Sequence, residues 1–248
     1  EAHAATMGPN PDFQKALVIF EKLAWAGVEE AQANAAYIHH RKMNNLEMAI
    51  RYYVLSAEQS NAHSHLILGD YYYQKEQFNI SVKNKVCLDV GASTGGFTEV
   101  LYSNGAKKIY SVDVGRDQLH HRLKNIEKIV SMENFDARNL TEKHFTEPPQ
   151  IIVCDASFIS VTKVLDQVLT LSASEADLVI LVKPQFEVGK KGISRGGIVK
   201  SESLALTSLS EVSDWIHTKG WSISATCESP IKGTSGNTEY LLHAKFRN

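Results

Sequence analysis

Apolar and polar positions change their spacing near residue 77. Before that point apolar residues recur at helical intervals through "DFQKALVIFEKLAWAG", "VEEAQANAAYIHHRK", "NLEMAIRYYVLSAEQS" and "NAHSHLILGDYYYQKEQ". There is almost no β-branched alternation, so the pattern predicts helices only. From residue 78 the chain turns to short apolar runs, "KVCLDV", "KIYSVDV", "EKIVSM", "QIIVCDA" and "ADLVILVK", separated by helical stretches such as "GFTEVLYSNG" and "VTKVLDQVLTLS". Runs apolar on both faces that alternate with helices predict a parallel sheet with crossover helices. Two further runs, "WSISATCES" and "EYLLHAKF", follow with no helix between them, so the last strand can return antiparallel. The expectation is an α/β protein with a seven-stranded, mostly parallel sheet in residues 77–248, preceded by a small all-α segment in residues 1–76.

The helical part repeats itself. A shift of 33 residues lays Ala16 on Ala49, Leu17 on Ile50, Phe20 on Tyr53, Ala24 on Ala57, Gly27 on Ser60, Ala31 on Ser64 and Ala36 on Gly69. Small residues at matched places let paired helices approach closely, and the aromatic at the Phe20/Tyr53 position fills the space between successive hairpins. Over residues 12–76 the pattern resembles Sel1-like repeats, relatives of the tetratricopeptide repeat, which implies a protein-binding role without chemistry. The alternative is an unrelated four-helix piece. Two repeats are fewer than the roughly three such stacks need to stand alone.

Composition narrows the function classes. The 248 residues carry a formal net charge of −2, so no general field draws the chain to nucleic acid and any phosphate contact needs a local patch. Residues 1–77 hold 6 Lys+Arg against 9 Asp+Glu, and residues 78–248 hold 20 against 19. The three cysteines, Cys87, Cys154 and Cys227, lie in apolar runs with no Cys-x-x-Cys spacing, which suits buried reduced thiols better than disulfides or a zinc site. No apolar stretch approaches the ~20 residues that span a bilayer, and "EAHAATMGPN" lacks a signal pattern, so a cytoplasmic protein with no membrane association is expected. His39–His40 and His120–His121 have no partners at ligand spacing; no metal is expected, and these pairs read as surface helix positions.

The candidate chemistry begins at residues 86–98, "VCLDVGASTGGFT", where a strand ends in an acid and breaks into small residues. In an open parallel sheet, ligands sit beyond the carboxyl ends of the strands, where the first turn meets a helix. Gly91, Ser93, Gly95 and Gly96 let backbone pass close to a bound molecule. A dinucleotide would want G-x-G-x-x-G and a phosphate-sized nest. Here the turn is G-A-S-T-G-G after Asp89, a carboxylate that repels pyrophosphate but suits an ammonium, as in the methionine part of S-adenosyl-L-methionine. Asp113, at the end of the next strand, can take both ribose hydroxyls, and Asp136, near the end of the third, can meet the adenine amino group. The full cofactor set adds Thr94, Phe97 and Ala137. Each acid singly could also be no more than a helix N-cap.

Four stretches, "DVGASTGGFT", "VCDASFIS", "LVKPQFEVGKKG" and "SGNTEYLLH", together resemble the methyltransferase domain of the TlyA family, known as haemolysins by name and related to the FtsJ type. The resemblance covers about residues 77–248. It implies a Rossmann-like methyltransferase fold, S-adenosyl-L-methionine as cofactor, and 2′-O-methylation of ribosomal RNA, free or in ribosomal subunits.

The same residues make chemical sense. Asp155 ends the fourth strand, Lys183 the fifth, and Glu239 begins the last, so all three can converge on the cofactor turn. A ribose 2′-hydroxyl is a weak nucleophile that must be placed in line with a sulfonium methyl and relieved of its proton. A lysine between two carboxylates can orient it, offset alkoxide charge and, if desolvated enough to lose its own proton, act as base. The alternative is an inert ion-pair cluster. "KPQFEVGKKGISRGGIVK" adds Lys190, Lys191, Arg195 and Lys200, a candidate RNA phosphate footprint that also reads as a solvated loop; Phe186 is a candidate base-stacking group or a core residue.

Two departures accompany the resemblance. The small RNA-binding S4 domain that opens the family is replaced by the helical repeats. A further catalytic lysine, in an S-R-G-G-x-K-L stretch upstream of the first strand, falls by the family's spacing on Asp70, with Lys75 the nearest substitute. The change of pattern at Tyr73–Gln77 suggests a fusion. The second functional reading is therefore a helical-repeat interaction module carrying a cofactor-binding but catalytically idle domain.

Overall fold

The computed structural model describes residues 2, 5, 11–43, 45–58, 78, 80–229, 232–233 and 235–247. The chain divides into two compact units, Glu1–Tyr71 and Tyr72–Asn248. The expected second helix of the second repeat, the splice at Tyr73–Gln77, Asp70 and Lys75 all fall outside the described residues.

In the first unit the described helices are α1 (Phe13–Trp25), α2 (Glu29–Arg41) and α3 (Leu46–Glu58). Asp12 starts α1 by accepting from the Lys15 amide, and the tight turn after it needs Gly27 in the left-handed region, at φ +84°. Of the residues that the 33-residue shift matched, Ala16, Phe20 and Ala24 on α1, Ala31 and Ala36 on α2 and Ala49 and Tyr53 on α3 are buried, whereas Leu17 is half-buried and Gly27 exposed; Ala35, Ile38 and Tyr52, which the shift did not match, are buried too. His39 departs from the sequence expectation. It is 7% exposed, its Nε2 lies 2.9 Å from Glu21 Oε1, and its ring stacks on Tyr52. Periodicity alone could not place it inside, because an imidazole is buried only when a partner such as Glu21 satisfies it.

The second unit is built on β1 (Val86–Val90), β2 (Lys108–Val112), β3 (Ile129–Met132), β4 (Ile151–Cys154), β5 (Glu175–Val182), β6 (Ser222–Glu228) and β7 (Tyr240–Arg247), in sheet order β3-β2-β1-β4-β5-β7-β6. The pairs from β3 through to β5 are parallel, and β7 runs antiparallel between β5 and β6. The seven strands and the reversed last strand are those expected from the sequence. β1 and β4 are buried at every position, as central strands covered on both faces must be; β6, at the edge, alternates exposed and half-buried residues.

Helices α4 (Gly96–Ser103), α5 (His121–Lys124), α6 (Val161–Val168), α7 (Pro184–Glu187), α8 (Gly189–Gly192) and α9 (Glu202–Thr218) complete the unit. α6 buries Val161, Val164, Leu165 and Val168, a stripe at the i, i+3, i+4, i+7 spacing, and α9 buries Ala205, Ser208, Val212 and Ile216 in the same manner. Ser201 caps α9 by accepting from the Leu204 amide. These faces join Leu88, Ile152, Ile180, Leu242 and Trp221 in one core.

At the edge of the sheet where β5 begins, Asp177 is buried beside fully buried His243, 2.9 Å away, with Lys85 at 3.6 Å and Arg247 at 3.5 Å. Burial alone would raise the Asp177 carboxyl, but His243, Arg247 and Lys85 outweigh it and hold it below the usual range. Cys87 and Cys154 are buried free thiols pushed up to about 12 by desolvation, and Cys227 is a half-buried free thiol. No helix among the described residues is long and apolar enough to cross a membrane.

Candidate active site

Strand register assembles the site. Val90 pairs with both Val112 and Cys154, and Val182 pairs with Tyr240. The parallel strands β1, β4 and β5 therefore end at one edge of the sheet, and antiparallel β7 begins there. This sets Asp155, Lys183 and Glu239, each one residue beyond a strand, side by side next to the turn after β1. The sheet order also reverses between β1 and β4, the place where ligands enter such folds.

The turn is held by β2. The amides of Gly91 and Ala92 donate to the Val112 carbonyl, and the Ser93 amide donates to Asp113 Oδ2 at 2.8 Å. Gly91 is required for two reasons: its φ is +80°, and a Cβ there would stand 2.8 Å from the Asp155 carbonyl oxygen. Gly95, at φ +102°, is the cap of α4, and a Cβ there would have to displace the side-chain tips of Leu119 and Leu123. Around Gly96 the space is open, with nothing within 4 Å of a built Cβ. Thr94 is exposed, Phe97 is half-buried, and the Thr94 carbonyl accepts from the His120 amide.

Asp89 lies beneath this turn, fully buried on β1. Thr98 Oγ1 donates to its Oδ2 at 2.6 Å. Since the Thr98 hydroxyl has one hydrogen, Ser111 Oγ, 2.7 Å from Thr98 Oγ1, donates in turn, giving a chain from Ser111 through Thr98 to Asp89. The second carboxylate oxygen, Oδ1, is buried without a hydrogen-bond partner. Desolvation pushes the Asp89 carboxyl up to about 7, against the Thr98 bond and with help from Asp155 and Asp113. An orphaned carboxylate oxygen fits a cationic ligand group and opposes a phosphate.

The other two strand-end acids have local partners. Asp113 accepts from Ser93 and, through Oδ1 at 2.6 Å, from the Gly115 amide. Asp136 caps the 3₁₀ turn Ala137–Asn139, accepting from the Arg138 amide, and its carboxylate is also bound by the Arg138 guanidinium at 2.6–3.0 Å. That bond, reinforced by the backbone cap, holds the Asp136 carboxyl below the usual range. Ala137 is buried beside it.

At the ends of β4 and β5 Lys183 Nζ stands 2.7 Å from Asp155 Oδ1 and donates to Ser157 Oγ at 2.8 Å. Glu239 is 6% exposed, and its Oε1 accepts from Gln185 Nε2 at 2.8 Å. Burial works against the charge on Lys183, but Asp155 and then Glu239 outweigh it, and the ammonium holds its proton more tightly than a free lysine. This corrects the expectation that Lys183 could shed its proton to become a base: the carboxylates that flank it are what prevent it. Desolvation raises the Glu239 carboxyl, partly offset by Lys183 and Gln185.

Lys190, Lys191, Arg195 and Lys200 are all exposed, and Lys200 Nζ donates to the Lys191 carbonyl at 2.9 Å. The loop that carries them closes on itself through the Ile193–Val199 bridge, and Asn237 fastens it by accepting from the Val199 amide and donating to the Gly197 carbonyl. Phe186 is half-buried and packs against Phe158, ring centroids 5.2 Å apart. Phe158 lies in the family-like stretch "VCDASFIS" but was not singled out from it. It is 91% exposed with φ +66°, a left-handed conformation that bulky residues seldom adopt, three residues beyond Asp155. Ser157, Gln185 and Asn237 were missed as well, although each lies inside one of the four family-like stretches. Ser111 carried no sequence signal, since only the pairing of Asp89 with Ser111 brings it near. Among the described residues no group of three His, Cys, Asp or Glu could hold a metal ion.

Comparison with known proteins agrees with this geometry. Hemolysin A of Brachyspira hyodysenteriae is 44% identical over 168 residues, 67% of this chain and 70% of that protein. The Mycobacterium tuberculosis H37Rv protein named 16S/23S rRNA (cytidine-2'-O)-methyltransferase TlyA is 42% identical over 167 residues, 67% of this chain and 62% of its own length. The chain thus spans about two thirds of the length of these relatives. A crystal structure of a Lactococcus lactis protein described as a hemolysin superposes with a TM-score of 0.68 at 34% identity, covering 74% of this chain and 86% of that one. The model of the FtsJ-like methyltransferases matches residues 74–246. With that match running through all seven strands and the residues gathered at their ends, the chain belongs to the FtsJ-like methyltransferase family.

Proposed function

We propose that this chain methylates the 2′-hydroxyl of a ribose in ribosomal RNA, at a cytidine as in the named relatives, using S-adenosyl-L-methionine in the cytoplasm. The observation that carries the reading is the Lys183–Asp155 pair at 2.7 Å, with Glu239 acting on the same lysine, beside the turn over Asp89. When bound, the cofactor supplies an electrophilic sulfonium methyl group. Asp89 Oδ1 takes the ammonium of its methionine part; Asp113 holds the ribose hydroxyls, and Ala137 with Asp136 borders the adenine. Gly91, Ser93, Thr94, Gly95, Gly96 and Phe97 line the approach.

On the acceptor side Lys183 Nζ keeps its proton, donates to the 2′-oxygen and offsets the charge that develops there. Glu239, whose proton affinity burial has raised, receives the hydroxyl proton. Phe158, exposed and paired with Phe186, stacks on the target base or its neighbour. Lys190, Lys191, Arg195 and Lys200 meet the phosphates. The helices of the first unit, read as Sel1-like repeats, serve a protein partner.

The test is transfer of labelled methyl to ribosomal RNA and to subunits by the parent chain, by Lys183→Ala, and by a variant with an S-R-G-G-x-K-L lead-in placed before Phe78. Lys183→Ala should lose ~10²–10⁴ in rate with cofactor affinity nearly intact, because one acid–base or charge-stabilising group is worth that much and acts on the acceptor side. Transfer that survives in Lys183→Ala refutes the mechanism. Transfer only after the lead-in is restored assigns the chain to the idle-domain reading, in which Asp70 has replaced an essential lysine.

A further inference from the structure

Glu187 lies outside the reacting groups, yet it joins the two segments that carry them. It closes α7, four residues after Lys183. Its Oε1 accepts from the Val161 amide at 2.9 Å and its Oε2 accepts from Ser160 Oγ at 2.6 Å. Ser160 spends its single hydrogen on Glu187, so Thr162 Oγ1, 2.7 Å away, donates to Ser160 Oγ. Ser160 is the N-cap of α6 and makes no cap bond with its own side chain; the cap is supplied by Glu187 at the end of α7. A carboxylate there satisfies an orphan amide and meets the positive end of the helix.

The two segments thus touch at three places. At the sheet edge Lys183 meets Asp155 and Ser157, at the far end Glu187 meets Ser160 and Val161, and between them the Phe158 and Phe186 rings pack together. The intervening Ala156–Ile159 stretch contains Phe158 at φ +66°. A strained conformation of this kind persists only where its surroundings over-determine it. Desolvation raises the Glu187 carboxyl, with Ser160 and Val161 pulling the other way and Glu211 adding to the rise.

From this geometry we infer that Glu187 is a positioning residue, a clamp that holds the Asp155–Phe158 loop against the Lys183 turn and so sets the Lys183–Asp155 geometry and the stance of Phe158. It touches neither cofactor nor acceptor. Its effect on rate rests on the proposed methyl transfer, while the clamp itself is measurable without any reaction. An error of ~1 Å in a reacting group costs as much as ~10²-fold in rate, so losing the clamp is expected to slow transfer by ~10–100-fold. The cofactor turn is tied to β2 instead and should be spared.

The experiment compares the parent, Glu187→Ala, Glu187→Gln and Ser160→Ala in four measurements: kcat and KM on ribosomal RNA, S-adenosyl-L-methionine affinity by calorimetry, melting temperature, and amide hydrogen exchange across the second unit. Glu187→Ala should lower kcat within that range, leave cofactor affinity within about threefold, and speed exchange in residues 156–161 alone. Glu187→Gln keeps an acceptor for the Val161 amide and can donate to Ser160 Oγ, so it should recover most of the rate; Ser160→Ala should fall between. Parent-like kcat and parent-like exchange in both Glu187→Ala and Ser160→Ala overturn the inference. Faster exchange throughout the unit with cofactor affinity lost also overturns it, as a merely structural role. If Glu187→Ala does not fold, Ser160→Ala decides by the same criteria. If the parent methylates no RNA, the functional proposal fails, while exchange in residues 156–161 still passes or fails the clamp.

Discussion

Replacing Asp89 with Asn should stabilise the protein and weaken its hold on the cofactor, and both effects can be sized from the structure. The carboxyl is fully buried, and burial pushes it up to about 7 from an ordinary 3.8. A raised folded value means that the native state binds the proton more tightly than the unfolded chain. The resulting stability is fully present below the unfolded value and is lost as pH rises through the folded one. Each tenfold in proton affinity is about 1.4 kcal/mol, so between pH 4 and pH 8 the parent gives up about 4 kcal/mol that the untitratable Asn keeps. For a unit of this size ~1 kcal/mol moves the midpoint by ~2–4 °C, which makes the relative gain of Asp89→Asn about 10 °C over that range. On the ligand side, a hydrogen bond to a charged group contributes ~1.5–3 kcal/mol, so affinity for S-adenosyl-L-methionine should fall about 10–100-fold. Placing an ammonium against Oδ1 also favours the charged carboxylate, so binding expels protons that burial had retained on it. Titration calorimetry in buffers of different ionisation enthalpy should therefore register net proton release on cofactor binding near neutral pH by the parent and none by the variant. Melting curves at pH 4, 6 and 8 complete the measurement. A difference between variant and parent that stays flat across that range refutes the buried, proton-sharing carboxyl; unchanged affinity removes Asp89 from the site.

Phe158→Ala should reduce kcat/KM on RNA by about 5–150-fold, as the loss of one base stack of ~1–3 kcal/mol requires, with the melting temperature held because the ring is 91% exposed. A parent-like kcat/KM would remove it from the RNA surface. Charge removal in Lys190→Ala with Lys191→Ala should weaken binding to all RNA sequences alike and flatten the log–log salt dependence by about 0.7–0.9 for each phosphate no longer neutralised, read from filter binding at several salt concentrations. An unaltered slope would return those lysines to the status of a solvated loop.

The arrangement of the sheet was legible in the amino-acid order because it depends on local, repeating features. Strands buried on both faces read as unbroken apolar runs, and crossover helices read as stripes; both survive without knowledge of what lies opposite. The ends of β1, β4 and β5 were likewise visible, since a parallel sheet must deliver the residues at and just beyond those strand ends to one edge, where Asp89, Asp155 and Lys183 fall. What only the tertiary structure decided is the state of those groups. The proton on Lys183 depends on whether desolvation or two carboxylates prevail, and Asp155 and Glu239 come from strands 28 residues before and 56 residues after it. Asp89 became a buried acid with one orphaned oxygen because β1 pairs Asp89 with Ser111 and α4 returns Thr98 over it. His39 entered the helical core through Glu21, 18 positions away, and Glu187 became a clamp through Ser160 and Val161, more than 25 positions away. A side chain's preference for strand, helix or turn is set by its own atoms and its neighbours in sequence. Its protonation, exposure and partners are set by the dielectric and charges that distant segments bring to it, and those exist only once the chain has folded.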